Sequence, residues 1–378
     1  MGQGAFTCCE NRSTRFHVRS RVILLACLLT AAACRSSSPP TSTNVSGEIV
    51  IYCSVDEAFA RPLLREFEAA SGMTVRPLFD TEAGKTTGLV ERLRQERDRP
   101  RADVWWSSEI FGTIELAQNG ILTEYRPKAA EDIPKPYRDP TGRWTAFALR
   151  GRIVVYDPRR IAAADVPGSW HDMADPQYAD RIVMANPQFG TTRGHMAALL
   201  AAWGEPAFRA YLEGLARNGV RLADGNAQCV MVVTRGQADF GWTDTDDAYV
   251  AQQRGDSIAI AFAGMSGPQG AVVQGTLWIP NSCGLVAGGP NPDGGRRLIE
   301  YICSAGVERK LAESESGNIP VRESVRREVM AARRSASASQ PADRDFDQLL
   351  KHVADVDYGK ATDVMRRSDE LTREILMR

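Results

Sequence analysis

The chain has 378 residues, 43% of them apolar and 25% charged, with seven tryptophans and a formal net charge of −1. That composition is globular rather than disordered, and so neutral a balance argues against nucleic acid as a partner. The length suffices for two domains, each with its own core.

Residues 1–33 read as an export signal. Arg12, Arg15, Arg19 and Arg21 make a basic start, residues 22–30 a short apolar stretch, and Ala31, Ala32 and Ala33 a small-residue site before Cys34. The apolar stretch is too short for a membrane span. Small residues before a cysteine are similar to a bacterial lipobox, so Cys34 is expected to carry a lipid and residues 34–46, rich in Ser, Thr and Pro, to form a tether. Cleavage before Cys27 would leave an apolar core of only about five residues, too short for a signal. Loss of four arginines and Glu10 leaves 42 basic and 46 acidic residues. The expected place is the periplasmic face of the bacterial cytoplasmic membrane, or the inner face of an outer membrane, with the protein held by its lipid.

From Gly47 onward, short apolar runs alternate with amphipathic stretches, the pattern of an α/β fold. Residues 48–52 predict a strand, followed by a helix with Phe59, Leu63, Leu64 and Phe67 on one face. A strand over 74–79 and a helix near 86–98 come next, then a strand over 103–106 and a helix that Asn119-Gly120 stops. Further strands are predicted over 152–156, 181–185, 220–223 and 239–242, and the last two over 274–279 and 285–287. The remainder reads as helical, with residues 335–341 as a linker.

Four cysteines lie beyond the presumed lipid site: Cys53, Cys229, Cys283 and Cys303. They allow three disulfide pairings, or four free buried thiols, and no spacing among them is that of a metal site.

The conspicuous polar residues fall at the carboxyl ends of successive strands, where ligands bind in open α/β sheets. Asp56 follows the first strand; Asp80, Glu82, Lys85 and Thr86 follow the second; Glu109 follows Trp105-Trp106. Gly190-Thr191-Thr192 precedes a helix and could present backbone N–H groups to an anion, or could be a plain threonine cap. Asn226 follows Asp224-Gly225. Asp244, Asp246 and Asp247 crowd within four positions, where their repulsion requires a helix N-terminus, a cation or a ligand ammonium. Trp105 and Trp106 alternate across a strand, which leaves one free to wall the cleft, although core packing suits both. Catalytic signatures such as His-Glu-x-x-His or Gly-x-Ser-x-Gly are absent, and His171, His195 and His352 are far apart.

The order of Ile49-Val-Ile-Tyr-Cys-Ser-Val-Asp56, Ala102-Asp-Val-Trp-Trp106, Gly151-Arg-Ile-Val-Val-Tyr-Asp157, Asn186-Pro-Gln-Phe-Gly-Thr191 and Gly317-Asn-Ile-Pro320 resembles the solute-binding proteins of ATP-driven importers. The particular likeness is to the family that contains ferric-ion-binding proteins. The resemblance implies a two-lobed periplasmic-binding-protein type II fold with hinge-crossing strands, delivery to a membrane permease, and no enzymatic cofactor. Lobe 1 is expected over 47–145 and 275–325, and lobe 2 over 146–274 and 326–378. It also implies an anion at Gly190, Thr191 and Thr192, a polar contact near Asn226, and a ligand at Asp56. Where iron-binding members carry paired tyrosines, this chain has Asp246 and Asp247. Carboxylates are also hard oxygen donors. The first expectation is therefore ferric iron on Asp56, Glu109, Asp246 and Asp247 with an accompanying anion. The alternative is a phosphonate or phosphate-ester zwitterion in the same cleft, with Asp246 or Asp247 holding the ammonium and Gly190, Thr191, Thr192 and Asn226 the phosphoryl group; Glu82, Thr86 and Asp244 are further expected ligand-binding residues, and a membrane-anchored hydrolase is a third reading.

Overall fold

The computed structural model describes residues 47–80, 84–267, 275–335 and 345–377. Cys34, Glu82 and most of the predicted linker over 335–341 lie outside these. No helix among the described residues is long and apolar enough to cross a membrane.

The first lobe begins with β1 (Ile49–Cys53), α1 (Glu57–Ser71), β2 (Val75–Phe79), α2 (Thr87–Gln95), β3 (Val104–Ser107), α3 (Phe111–Gln118) and the short β4 (Leu122–Thr123). Ala60, Leu63, Leu64 and Phe67 bury one face of α1, and Gly72 closes that helix in the left-handed conformation, its N–H on the Glu68 carbonyl. β1 lies between β2 and β3 in parallel register.

Strand β5 (Thr145–Tyr156) is twelve residues long and buried throughout. Its first half pairs antiparallel with β10 (Trp278–Val286), and its second half pairs with β8 (Phe240–Asp244) and β9 (Ala259–Ala261). Sequence predicted only residues 152–156. Thr145 to Leu149 was missed because the run is broken by Arg150, Gly151 and Arg152. β10 likewise joins two predicted strands into one, and it accommodates Pro280 with a register shift between Pro280 and Asn281.

In the second lobe β6 (Ile182–Ala185) sits between β8 and β7 (Arg221–Ala223), all parallel. The helices are α4 (Gly190–Trp203), α5 (Glu205–Arg217), α6 (Asn226–Thr234) and α7 (Thr245–Gln253). After β10 come α8 (Pro292–Ile302), α9 (Ala305–Glu313), α10 (Glu323–Ser335), α11 (Phe346–Leu349), α12 (Tyr358–Asp363) and α13 (Met365–Leu376). The strands run in the order β2-β1-β3-β10-β5-β8-β6-β7, so β5 and β10 carry the sheet from one lobe to the other.

The C-terminal segment divides differently from the expected boundary at 325/326. Val329, Met330, Phe346 and Leu349 join the core that holds Ile49, Val104 and Leu285, and Ala354, Ala361, Met365 and Leu371 join the second-lobe core. The α10 face repeats apolar residues at helical spacing and has the α9 surface beside it to cover them.

Gly151 marks the crossing point of β5. A Cβ there would lie 3.0 Å from the Trp278 ring, so glycine lets the ring close over the strand. Gly194 of α4 is under greater constraint, since a Cβ would fall 2.1 Å from Phe111 at the start of α3. Gly194→Ala is expected to lower stability by about 1–3 kcal/mol through overpacking, read as a lower urea midpoint with an unchanged slope.

Candidate functional site

The carboxyl ends of β6, β7 and β8 and the start of α1 converge on one pocket. Its lining includes Asp56, Lys85, Arg150, the first turn of α4 from Gly190 to Thr192, Asn226, and Asp244, Asp246 and Asp247. The void left is about 30 Å³, room for a water molecule or two. It adjoins a wider groove of about 770 Å³ that shares Asp56, Asp224, Asp246 and Asp247. The lobes touch over the pocket: the Gly190 N–H donates to the Lys85 carbonyl at 3.1 Å, and the Thr87 hydroxyl to the Gln188 carbonyl at 3.1 Å.

Two buried arginines that sequence reasoning did not assign to the site dominate its electrostatics. Arg152, wholly buried, donates from Nη1 to Asp244 Oδ1 at 2.7 Å, directly across the β5–β8 register. The same guanidinium reaches Thr191 Oγ1 and Thr192 Oγ1 at 3.2 Å and Asn226 Oδ1 at 3.3 Å. Asp244 Oδ2 accepts from the Thr191 hydroxyl at 2.7 Å and from Asn226 Nδ2 at 2.8 Å. Arg150 pairs with Asp246 at 2.8 Å and lies 3.5 Å from Asp244, and it also donates to the Ser108 carbonyl of the first lobe. The signal that could have revealed them was in view: arginines flanking a glycine at the head of a wholly apolar strand must find buried acceptors.

Asp244 occupies the N-cap position of α7, yet its side chain makes no cap hydrogen bond. Its carboxylate is instead committed to Arg152, Thr191 and Asn226. Burial alone would push it up, but Arg152 and Arg150 outweigh burial and hold it below the usual carboxylate range. Asp246 is raised by burial in spite of Arg150. Asp247 is raised furthest, by burial and then by the charges of Asp246 and Asp244; the Thr243 hydroxyl donates to it at 3.1 Å, and no ion pair reaches it among the described residues. Lys85 pairs with Asp56 across the mouth of the pocket.

The carboxylates of Asp244, Asp246 and Asp247 bring one oxygen each within 4.8 Å of one another, close enough to share a cation. Neither Asp56 nor Glu109 belongs to that group. Glu109 faces the other way, its oxygens accepting the N–H groups of Phe111 at 2.5 Å and Gly112 at 3.0 Å at the start of α3. The helix end needs those acceptors, which leaves this carboxylate off the pocket wall. Thr86 also lies off the wall, buried, with its hydroxyl on Ser54 at 3.2 Å. Trp105 and Trp106 are both fully buried, so neither walls the cleft. His195 is buried edge-on to Trp170, with burial and then Arg152 holding it neutral.

The profile of the bacterial extracellular solute-binding proteins matches residues 113–346, more than half of the sequence. The chain belongs to that family. Among relatives, this solute-binding protein is 24% identical to iron uptake protein A1 of Synechocystis over 71% of its own length and 74% of the relative's. It is 27% identical to a putative 2-aminoethylphosphonate-binding periplasmic protein of Salmonella paratyphi A, over 68% of its length and 73% of the relative's. In fold it is similar to iron-bound HitA of Pseudomonas aeruginosa, with a TM-score of 0.72, 18% identity and coverage of 87% of this chain and 99% of that one. It is as similar to AfuA of Actinobacillus pleuropneumoniae with fructose-6-phosphate bound, at a TM-score of 0.71, 17% identity and coverage of 87% and 98%. The two-lobed α/β fold expected from sequence is thereby shown.

Arg152→Met would leave Asp244 buried without its cation and is expected to cost about 3–5 kcal/mol in urea unfolding, with part of the loss recovered when Asp244→Asn is added. Glu109, raised by burial to about 7 from an ordinary 4.5, binds an extra proton in the folded state between those values. Its stabilising contribution is therefore full below about 4.5 and lost as pH rises through about 7. Urea midpoints measured from pH 4.5 to 8 should show that decline, and Glu109→Gln should flatten it.

Proposed function

We propose that the protein captures a small zwitterion of the phosphonate or phosphate-ester type and delivers it to the permease of an ATP-driven importer. It does so as a binding protein without catalytic turnover, held at the outer side of the cytoplasmic membrane by lipid on Cys34. One observation supports this reading: the pocket offers groups of both signs, the Arg150 guanidinium on one side and, on the other, the Asp247 carboxylate, which makes no ion pair among the described residues. A phosphoryl group suits Arg150, Lys85 and the first turn of α4. An ammonium group beside Asp247 would restore that carboxylate to its charged form.

Ferric iron is the weaker reading. Two of the three clustered carboxylates already neutralise buried guanidinium groups, which would also repel a trivalent ion. No tyrosine lines the pocket among the described residues, so no phenolate is available there. Support for a phosphonate also comes from the Salmonella relative named above. The small void implies that ligand enters as the lobes part, displacing the Lys85–Asp56 pair at the mouth.

The test is thermal unfolding with 2-aminoethylphosphonate, with an alkylphosphonate lacking the amine, and with ferric citrate, each with and without chelator. At a hundredfold excess over Kd the aminophosphonate should raise Tm by about 4 °C, regardless of chelator. Asp247→Asn should weaken the aminophosphonate about tenfold or more and leave the alkylphosphonate nearly unchanged. A shift produced by ferric citrate alone and abolished by chelator would assign iron instead.

A further inference from the structure

The sulfurs of Cys283 and Cys303 lie 3.3 Å apart in the first-lobe core. Cys283 stands within β10, between Trp106 of β3 and Thr145 of β5, and Cys303 ends α8, whose inner face covers that strand. A disulfide needs the sulfurs at about 2.05 Å, so small side-chain rotations must bring them about 1.2 Å closer. Cys53 and Cys229 have no sulfur partner among the described residues: Cys53 points at the Val55 carbonyl, and Cys229 is buried in a separate core. Proteins of an extracellular family mature where thiols are oxidised.

We propose that Cys283 and Cys303 are joined by a disulfide in the exported protein, while Cys53 and Cys229 stay as thiols. The bond forms by exchange with the disulfide of an envelope thiol–disulfide oxidoreductase. One cysteine thiolate attacks that disulfide and makes a mixed disulfide; the second thiolate displaces the enzyme's sulfur. Two electrons and two protons leave the pair and the oxidoreductase departs as a dithiol. Burial raises the Cys303 thiol well above its ordinary range and shuts out any partner, so the exchange precedes closure of the core. The product staples the end of α8 to one of the two strands that carry the sheet between lobes. That strand is thereby held to the first lobe while the second moves.

The experiment is a peptide map of the full protein exported by a bacterium with an intact oxidising envelope. The sample is quenched in acid, alkylated in denaturant without reductant, and digested with trypsin. The peptide ending at Arg296 should appear linked to the one beginning at Leu298, and the Cys53 and Cys229 peptides should be alkylated. Reduction in denaturant should free the linked pair, and protein refolded in the reduced state should unfold about 5 °C below the oxidised form for a loop of this length. The double variant Cys283→Ala, Cys303→Ala should unfold near the reduced protein and no longer respond to reductant. Alkylated Cys283 and Cys303 without reductant, or linkage of either to another cysteine, would overturn the proposal, and that map is decisive even if the double variant fails to fold.

Discussion

The ion pair between Arg152 and Asp244 is the constraint on which the rest of the site depends. Each group is costly to bury alone, and each makes the other tolerable with the help of Thr191, Thr192 and Asn226, although Arg152 Nε finds no hydrogen-bond partner among the described residues. The guanidinium spans β5 and β8 and reaches the threonines of α4 and Asn226 of α6, so a single charge holds the ends of four elements in register. Sheet topology brings these ends near one another. The pair decides their rotamers, and with them the shape of the wall a ligand meets.

Arg150 repeats the arrangement one step nearer solvent, and the consequence differs. Its charge is shared between Asp246 of the second lobe and a carbonyl of the first, so it bridges the two lobes. Asp247, next along the same helix turn, has a hydroxyl donor and no ion pair among the described residues. Three carboxylates adjacent in sequence thus hold three different electrostatic positions, one depressed, one raised, one raised far. The difference comes from which of them an arginine can reach.

The alternation of strands and helices was legible because apolar period and cap residues coincide, as in α3 with its Asn119-Gly120 stop. The convergence of Asp56, Gly190, Thr191, Thr192, Asn226 and the acidic turn was legible for a topological reason: strand ends in a parallel arrangement face one way. Where reading failed, long-range partners decided. β5 looked broken because Arg150 and Arg152 are polar in isolation, and only their carboxylates across the sheet make them strand residues. Glu109 looked like a ligand because sequence does not tell a carboxylate facing a cleft from one turned back to its own helix end. The predicted strands over 274–279 and 285–287 meet in the single strand β10, where a register shift absorbs Pro280. The tail after residue 325 was ambiguous because helical faces reveal that they are buried and not against what.

Arg150, Gly151 and Arg152 combine pivot and recognition in three consecutive residues. An altered side chain there would change how the lobes swing and what they hold at the same time, which ties that stretch of strand to its present composition. In the first turn of α7, Thr245 accepts the Gly151 N–H and Asp246 pairs with Arg150, whereas the Asp247 side chain bonds to Thr243 instead. On the zwitterion reading proposed above, diversification of cargo would have an open route at Asp247, where a new side chain would alter the preferred solute while the joint beneath it stays as it is.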